Sequence, residues 1–206
     1  MTKRNCIIFD CDDILLDYME GLKKFVEKHY DIYPAGYSTD YVLNEWLGVD
    51  EYTCQEIINH FNHNSYEFGL LKQLEDGLST ELLILYNHAK KHDTDLVVLT
   101  KSGKKGHGEV LRKVNLMNTF GDIFSEIIII ETNETKRASL LKLKSKYNVL
   151  CFVDDYVGNI DDGIKCGINS VLIERHHNVK HKGKEQYVFF KDWELLIDYL
   201  YELIKQ

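Results

Sequence analysis

The residues with the most chemistry are carboxylates in two tight groups, Asp10-Cys11-Asp12-Asp13 early in the chain and Asp154-Asp155 much later. Each group directly follows a short apolar run, residues 5–9 and 149–153 respectively. A hydroxyl and a lysine stand in comparable places. Thr100-Lys101-Ser102-Gly103 follows the run 95–99, and Lys136 closes the loop after the run 127–130. Carboxylates crowded together repel, and each takes up a proton unless a cation neutralises it. Hard oxygen ligands in this number suit Mg²⁺, which is usually held by one or two carboxylates with water and a substrate phosphate. A lone aspartate after a strand reads as a helix cap. Two such groups on one sheet read as a site.

The elements that must position these groups follow from periodicity. The runs 5–9, 95–99, 127–130, 149–153 and 170–173 are short, rich in Ile and Val, and apolar on both faces, as strands inside a parallel sheet are. Helical patterns separate them at 80–91, with Ser79 as N-cap, and at 108–114, 136–146 and 159–166. A last helix, 193–204, sets Leu196, Ile197, Leu200 and Leu203 on one stripe. This alternation predicts an α/β fold with a doubly wound, Rossmann-like parallel sheet of at least five strands. Ligands of such sheets bind outside the carboxyl ends of the strands. Asp10, Asp12, Asp13, Asp154, Asp155, Thr100 and Lys136 therefore converge on one edge.

One interval breaks the rhythm. Between Asp10 and Asp95 the chain shows helical periodicity and no buried strand, with Leu22, Phe25, Val26 and His29 on one face and Ile57, Ile58 and Phe61 on another. That is far more chain than a crossover helix needs. Residues 17–77 are expected to form a small helical cap inserted after the first strand, with 1–16 and 78–206 making the catalytic core.

A chain of 206 residues fits one domain carrying such an insertion, and 44% hydrophobic with 28% charged residues is ordinary for a globular protein with its own core. No apolar run approaches the ~20 residues of a membrane span, and the first one falls short of the ~7–15 residues of a secretory signal. Five scattered cysteines (Cys6, Cys11, Cys54, Cys151 and Cys166), with no CxxC pair, suit reduced thiols in the cytoplasm better than disulfides or a zinc site. A net charge of −8 makes the surface as a whole a poor match for nucleic acid. Two local basic clusters remain: Lys101, Lys104, Lys105 and His107, and then Arg175, His176, His177, Lys180, His181, Lys182 and Lys184. Both fall on the catalytic edge, either as a rim that steers anions or, for the second, as a solvated loop.

The chain resembles the haloacid dehalogenase superfamily over nearly its whole length. Asp10-Cys11-Asp12-Asp13-Ile14-Leu15 is similar to the first motif of that family, the strand ending in Thr100 to the second, Lys136 to the third, and Cys151-Phe152-Val153-Asp154-Asp155 with Asn159, Asp162 and Gly167 to the fourth. The resemblance implies that Asp10 attacks phosphorus to form an aspartyl-phosphate, and that Asp12 serves as acid and then base. It implies Mg²⁺ at Asp10, the Asp12 carbonyl and the Asp154–Asp155 pair, chiefly Asp155. Thr100 and Lys136, with Lys101 beside them, would hold phosphoryl oxygens.

The dehalogenases that name the superfamily lack an acid at the position of Asp12, so its presence points to phosphoryl chemistry. Phosphomutases keep both acids. Asp13 departs from the Gly common in the family, and is expected to face solvent as a turn residue rather than to bind metal. The stretch from Asp17 to Phe25 is similar to the deoxyribonucleotidase branch, in which an aromatic at the place of Tyr18 helps form the nucleobase pocket. The alternative role for Tyr18 is packing within a cap helix. The expected function is a Mg²⁺-dependent hydrolase of a small phosphate ester, with a nucleoside monophosphate first. A sugar-phosphate mutase, a polynucleotide-end phosphatase and a non-catalytic binding protein are the alternatives.

Overall fold

Isoleucine and phenylalanine side chains in β1 (Asn5–Phe9) are buried whichever way they point, which puts this strand inside the sheet. The computed structural model describes residues 3–38, 42–104 and 106–205. It contains a six-stranded, all-parallel sheet in the order β3-β2-β1-β4-β5-β6, formed with β2 (Thr94–Thr100), β3 (Phe124–Ile129), β4 (Asn148–Asp154), β5 (Ser170–Ile173) and β6 (Val188–Phe190). The order reverses direction at β1 and β4, so a crevice opens beyond their carboxyl ends.

From β1 the chain passes through α1 (Tyr18–Tyr30), α2 (Leu43–Leu47), α3 (Glu51–Asn59), a π-helical turn (His60–Asn64) and a 3-10 turn (Tyr66–Leu70) before α4 (Leu78–Lys91) leads into β2. The helical stretch is tied at its base, where Leu16 bridges Gln73, Asp17 N–H donates to Lys72 O (3.0 Å) and Leu74 N–H to Leu15 O (2.9 Å). Later helices are α5 (Gly108–Phe120), α6 (Arg137–Lys146), α7 (Val157–Lys165) and α8 (Trp193–Ile204).

Alternation along the strands divides the core in two. Ile7, Phe9, Leu96, Val98, Cys151 and Val153 pack with α4, α5 and α8, while Cys6, Ile8, Val97, Leu99 and Phe152 pack with α6 on the other face. The sheet is thus doubly wound, as the pattern predicts. All five cysteines are buried free thiols. No helix among the described residues is long and apolar enough to cross a membrane.

Four local boundaries differ from expectation, and one strand is new. Gly77, not Ser79, is the N-cap of α4; its φ of +87° is a conformation glycine adopts without cost, and Ser79 lies within the helix with its N–H on Gln73 Oε1. β3 starts at Phe124, ahead of the apolar run, because it is an edge strand that tolerates exposed Ser125. α5 runs on to Phe120, where Gly121 ends it, and α7 begins at Val157. β6 is an additional strand, only three residues long and half exposed, so it carries little periodicity.

Candidate functional site

Asp10 is the first residue beyond β1, and its N–H donates to Val153 O (2.9 Å), which places it against the end of β4. The chain then turns sharply. Leu15 and Leu16 N–H groups both donate to Cys11 O, and Asp13 sits at φ +54°. Two distant side chains pin the turn from outside: Trp193 Nε1 donates to Ile14 O (3.0 Å) and Arg175 Nε to Asp13 O (2.7 Å). Asp13 is a turn residue as expected, but it does not face solvent. It is 7% exposed, and its carboxylate accepts from Met19 N–H (3.1 Å). Aspartate is one of the few side chains that tolerates the left-handed conformation otherwise left to glycine.

Beneath the turn, Lys136 is completely buried with Nζ 2.6 Å from Asp10 Oδ1 and 2.7 Å from Asp154 Oδ2. Asp154 also accepts from Asn159 Nδ2 on both oxygens (3.1 Å each) and from Tyr156 N–H (2.9 Å). Its carboxylate is satisfied within the protein. Asp155 is the reverse case. It is fully buried and neither carboxylate oxygen has a hydrogen-bond partner among the described residues, although His177 Nε2 lies 3.2 Å from Oδ2. Oxygens of Asp10, Asp154 and Asp155 all lie within 4.8 Å of one another.

Three carboxylates around one ammonium leave negative charge uncompensated. Burial pushes the Asp10 carboxyl well above its usual range against the pull of Lys136, and Asp154, Asp155 and Asp12 add to the rise. Burial alone would lower Lys136, but Asp10 and Asp154 hold it above its ordinary value. A buried carboxylate without a partner is costly, and a hard cation relieves that cost. The donor set fits Mg²⁺ at Asp10 and Asp155. Of the expected ligands, Asp154 fits least, because Lys136 and Asn159 already occupy both its oxygens.

Thr100, at the end of β2, and Ser102 beyond it are buried, and their hydroxyls have no hydrogen-bond partner among the described residues. Lys101 points into a cavity of about 350 Å³ above Asp10, Asp12 and Thr132. The helical stretch roofs this cavity with Tyr18, Met19, Leu43, Gln55, Ile58 and Asn62. Tyr18 packs its ring on Phe61 (centroids 5.6 Å) and donates its hydroxyl to Asn62 Oδ1 (3.1 Å).

Within the first basic cluster, Lys104 and His107 are exposed and Lys105 lies outside the described residues. The second cluster divides. Arg175, His176 and His177 line an adjoining cavity of about 230 Å³ that shares Asp13 and Met19, whereas Lys182 pairs with Glu174 (3.0 Å) and Lys184 with His181 (3.0 Å). It is not a purely solvated loop, since Asn178 is buried and donates to Asp155 O and Ile173 O.

No family model matches the chain. A 32.4 kDa uncharacterized protein from the Gp30-rIII intergenic region of Enterobacteria phage T4 is 25% identical over 162 residues, covering 75% of this chain and 55% of that protein. The chain thus spans about half the length of the curated relative it matches. Solved structures align over nearly the whole chain. They include a haloacid dehalogenase-like hydrolase from Streptococcus pneumoniae (12% identity, 96% of this chain and 98% of that one, TM-score 0.64). A predicted phosphatase from Clostridium acetobutylicum aligns at 19% identity, 99% of each chain and TM-score 0.64. A magnesium-bound HAD-hydrolase from Bacillus subtilis aligns at 12% identity, 97% of this chain and 99% of that one, with TM-score 0.60. The chain shares the fold of these haloacid dehalogenase-like proteins.

On that fold, the structure brings Asp10, Asp12, Tyr18 and Lys101 to one cavity and buries Thr100, Lys136, Asp154 and Asp155 around its floor. The sequence reading missed Arg112, which has no exposed surface, pairs its Nη2 with Asp12 Oδ1, and stacks over Phe68 with Cζ 4.2 Å from the ring centroid. It also missed Gln55 and Asn62. The signal for Arg112 was its spacing: it lies four residues after Gly108 and four before Leu116, on the buried stripe of α5. Gln55 and Asn62 carried no such signal.

Proposed function

We propose that the chain is a Mg²⁺-dependent phosphomonoester hydrolase in which residues 17–77 form a cap over the site. Asp155 is the observation that carries this reading: a fully buried carboxylate beside Asp10 with no hydrogen-bond donor among the described residues and the His177 imidazole close by, matched across the floor by the Thr100 and Ser102 hydroxyls, which likewise have no hydrogen-bond partner there. Such an arrangement suits a cation on one side and phosphoryl oxygens on the other.

In this mechanism Lys136 holds Asp10 Oδ1 and leaves Oδ2 to attack phosphorus. Asp12 gives a proton to the departing oxygen as the Asp10–phosphorus bond forms, then takes one from the water that cleaves that bond. Thr100, Ser102 and Lys101 receive the phosphoryl oxygens. Asp10, Asp155 and the Asp12 carbonyl would hold Mg²⁺, whose positive charge would offset the charge gathered at the phosphoryl group. Lys136, expected from its motif to hold phosphoryl oxygens as well, is already committed to two carboxylates and orients Asp10 instead.

The roof supports a nucleoside monophosphate as the first choice of substrate. Tyr18 offers a ring, Gln55 and Asn62 offer carboxamides, and Met19, Leu43 and Ile58 offer apolar surface, which together suit a planar base with polar edges. The five buried thiols fit a reducing, cytoplasmic setting. The test is a phosphatase screen with Mg²⁺ across mononucleotides, sugar phosphates and 3′- or 5′-phosphorylated oligonucleotides. Preferred release of phosphate from a mononucleotide supports the proposal. Exclusive action on oligonucleotide ends, or transfer between sugar hydroxyls without net phosphate release, replaces it with one of the other two enzymes.

A further inference from the structure

The mechanism leaves one group unexplained. Arg112 is an arginine with no solvent exposure in the middle of α5, and it lies deeper than the cavity lining. Its Nη2 is hydrogen-bonded to Asp12 Oδ1, while Nε and Nη1 have no hydrogen-bond partner among the described residues. A guanidinium is rarely buried without a complete set of acceptors, because desolvating it is expensive. Its flat face is held by Phe68 of the 3-10 turn, and one turn along α5 the Asn115 side chain donates to Leu71 O (2.9 Å) and accepts from Leu71 N–H (3.1 Å). Arg112 is therefore fixed in direction from the roof side and presents a single nitrogen to Asp12. The Asp12 side chain keeps 21% exposure, and that exposure is toward the cavity.

We propose that Arg112 is a positioning residue for Asp12: by holding Oδ1 it aims Oδ2 at the oxygen that leaves phosphorus. The inference rests on the phosphatase reading above. In the first step the bond from phosphorus to the alcohol oxygen breaks, that oxygen keeps the bonding pair, and the Asp12 proton moves to it. An unheld carboxylate would rotate about two side-chain bonds, and a misplacement of ~1 Å at such a site costs about 10²-fold in rate. The competing role is a staple between α5 and the 3-10 turn, which would matter for stability alone.

The experiment compares wild type, D10N, D12N, R112M, R112K and the double variant R112M/D12N. Melting temperature, kcat, KM and single-turnover release of alcohol are read on an alkyl phosphate and on p-nitrophenyl phosphate. R112M is expected to slow alcohol release from the alkyl ester by roughly 10²-fold with little change in KM, inside the ~10²–10⁴-fold range of acid/base contributions. Release of nitrophenolate, which needs no proton, should slow by less than about tenfold. R112M/D12N should be no slower than D12N, because both changes remove the same contribution. R112K, which keeps charge and bulk, should recover part of the loss and serves if R112M is too unstable to assay. Losses that multiply in the double variant, or that are equal on both esters and track the melting temperature, overturn the inference while an inactive D10N keeps the phosphatase reading. A D10N variant that turns over at the wild-type rate overturns both.

Discussion

At the scale of single residues, the site is a problem in charge compensation around Lys136. Removing that ammonium strands Asp10 and Asp154 together in the interior. Lys136→Met should destabilise the fold by about 3–5 kcal/mol, the loss typical of breaking a buried pair, in a denaturant titration. Asp10→Asn should abolish both turnover and the base-labile aspartyl-phosphate trapped by rapid acid quenching; appreciable turnover would mean that another group attacks. Tyr18 separates two contributions. Tyr18→Ala should weaken binding of a mononucleotide by about 1–3 kcal/mol, mostly in KM. Tyr18→Phe keeps the ring but loses the bond to Asn62, so it should cost about 0.5–1.5 kcal/mol of stability with KM unchanged. Equal KM losses on nucleotide and p-nitrophenyl phosphate for Tyr18→Ala would make it a packing residue. The meeting of Asp10, Thr100 and Asp155 was legible in the sequence because strand ends converge whatever the side chains between them do, and Lys136 was legible from its place at the start of the helix after β3. Asp13 was half legible: the turn followed from its neighbours, but its burial came from Met19 and from packing that no local pattern records.

At the scale of elements, the two most informative pieces are the loop after β2 and helix α5. The π-helical turn presses His63 into the loop, where its carbonyl accepts from His107 N–H (3.0 Å). A methyl group built on Gly106, which has φ +55°, would lie 2.5 Å from His63 O. Gly106→Ala should therefore lower the melting temperature and, because Lys101 leaves from the same loop, raise KM for the phosphate ester; an unchanged KM would show that the two ends of the loop move independently. Helix α5 shows why some of the site could not be read in advance. Val110, Val114 and Met117 form an apolar stripe that is in fact exposed, while Arg112 and Asn115 occupy the buried one. Their partners lie in the helical stretch between β1 and β2, and periodicity reports burial only where burial is apolar. β6 escaped for a different reason, being too short and too exposed to alternate.

At the scale of the whole molecule, the alternation of strands and helices determined the sheet, and the one long interruption marked the roof. Both signals are long-range in sequence and tolerant of local error, which is why they survived misplaced caps and boundaries. Metal removal tests the assembled site. Chelation should abolish hydrolysis and added Mg²⁺ should restore it, with the melting temperature rising as Mg²⁺ is titrated in, because a ligand held only by the folded state stabilises it. Activity that persists in excess chelator would contradict the Asp10–Asp155 assignment. The bond from Trp193 to Ile14 reaches across 179 positions. On a ribosome the turn bearing Asp10 and Asp12 is made first, and the indole that clamps it is made only after both halves of the sheet. Asp10 is thus synthesised long before the turn around it can be locked, so a chain stopped short of Trp193 would still lack a finished turn.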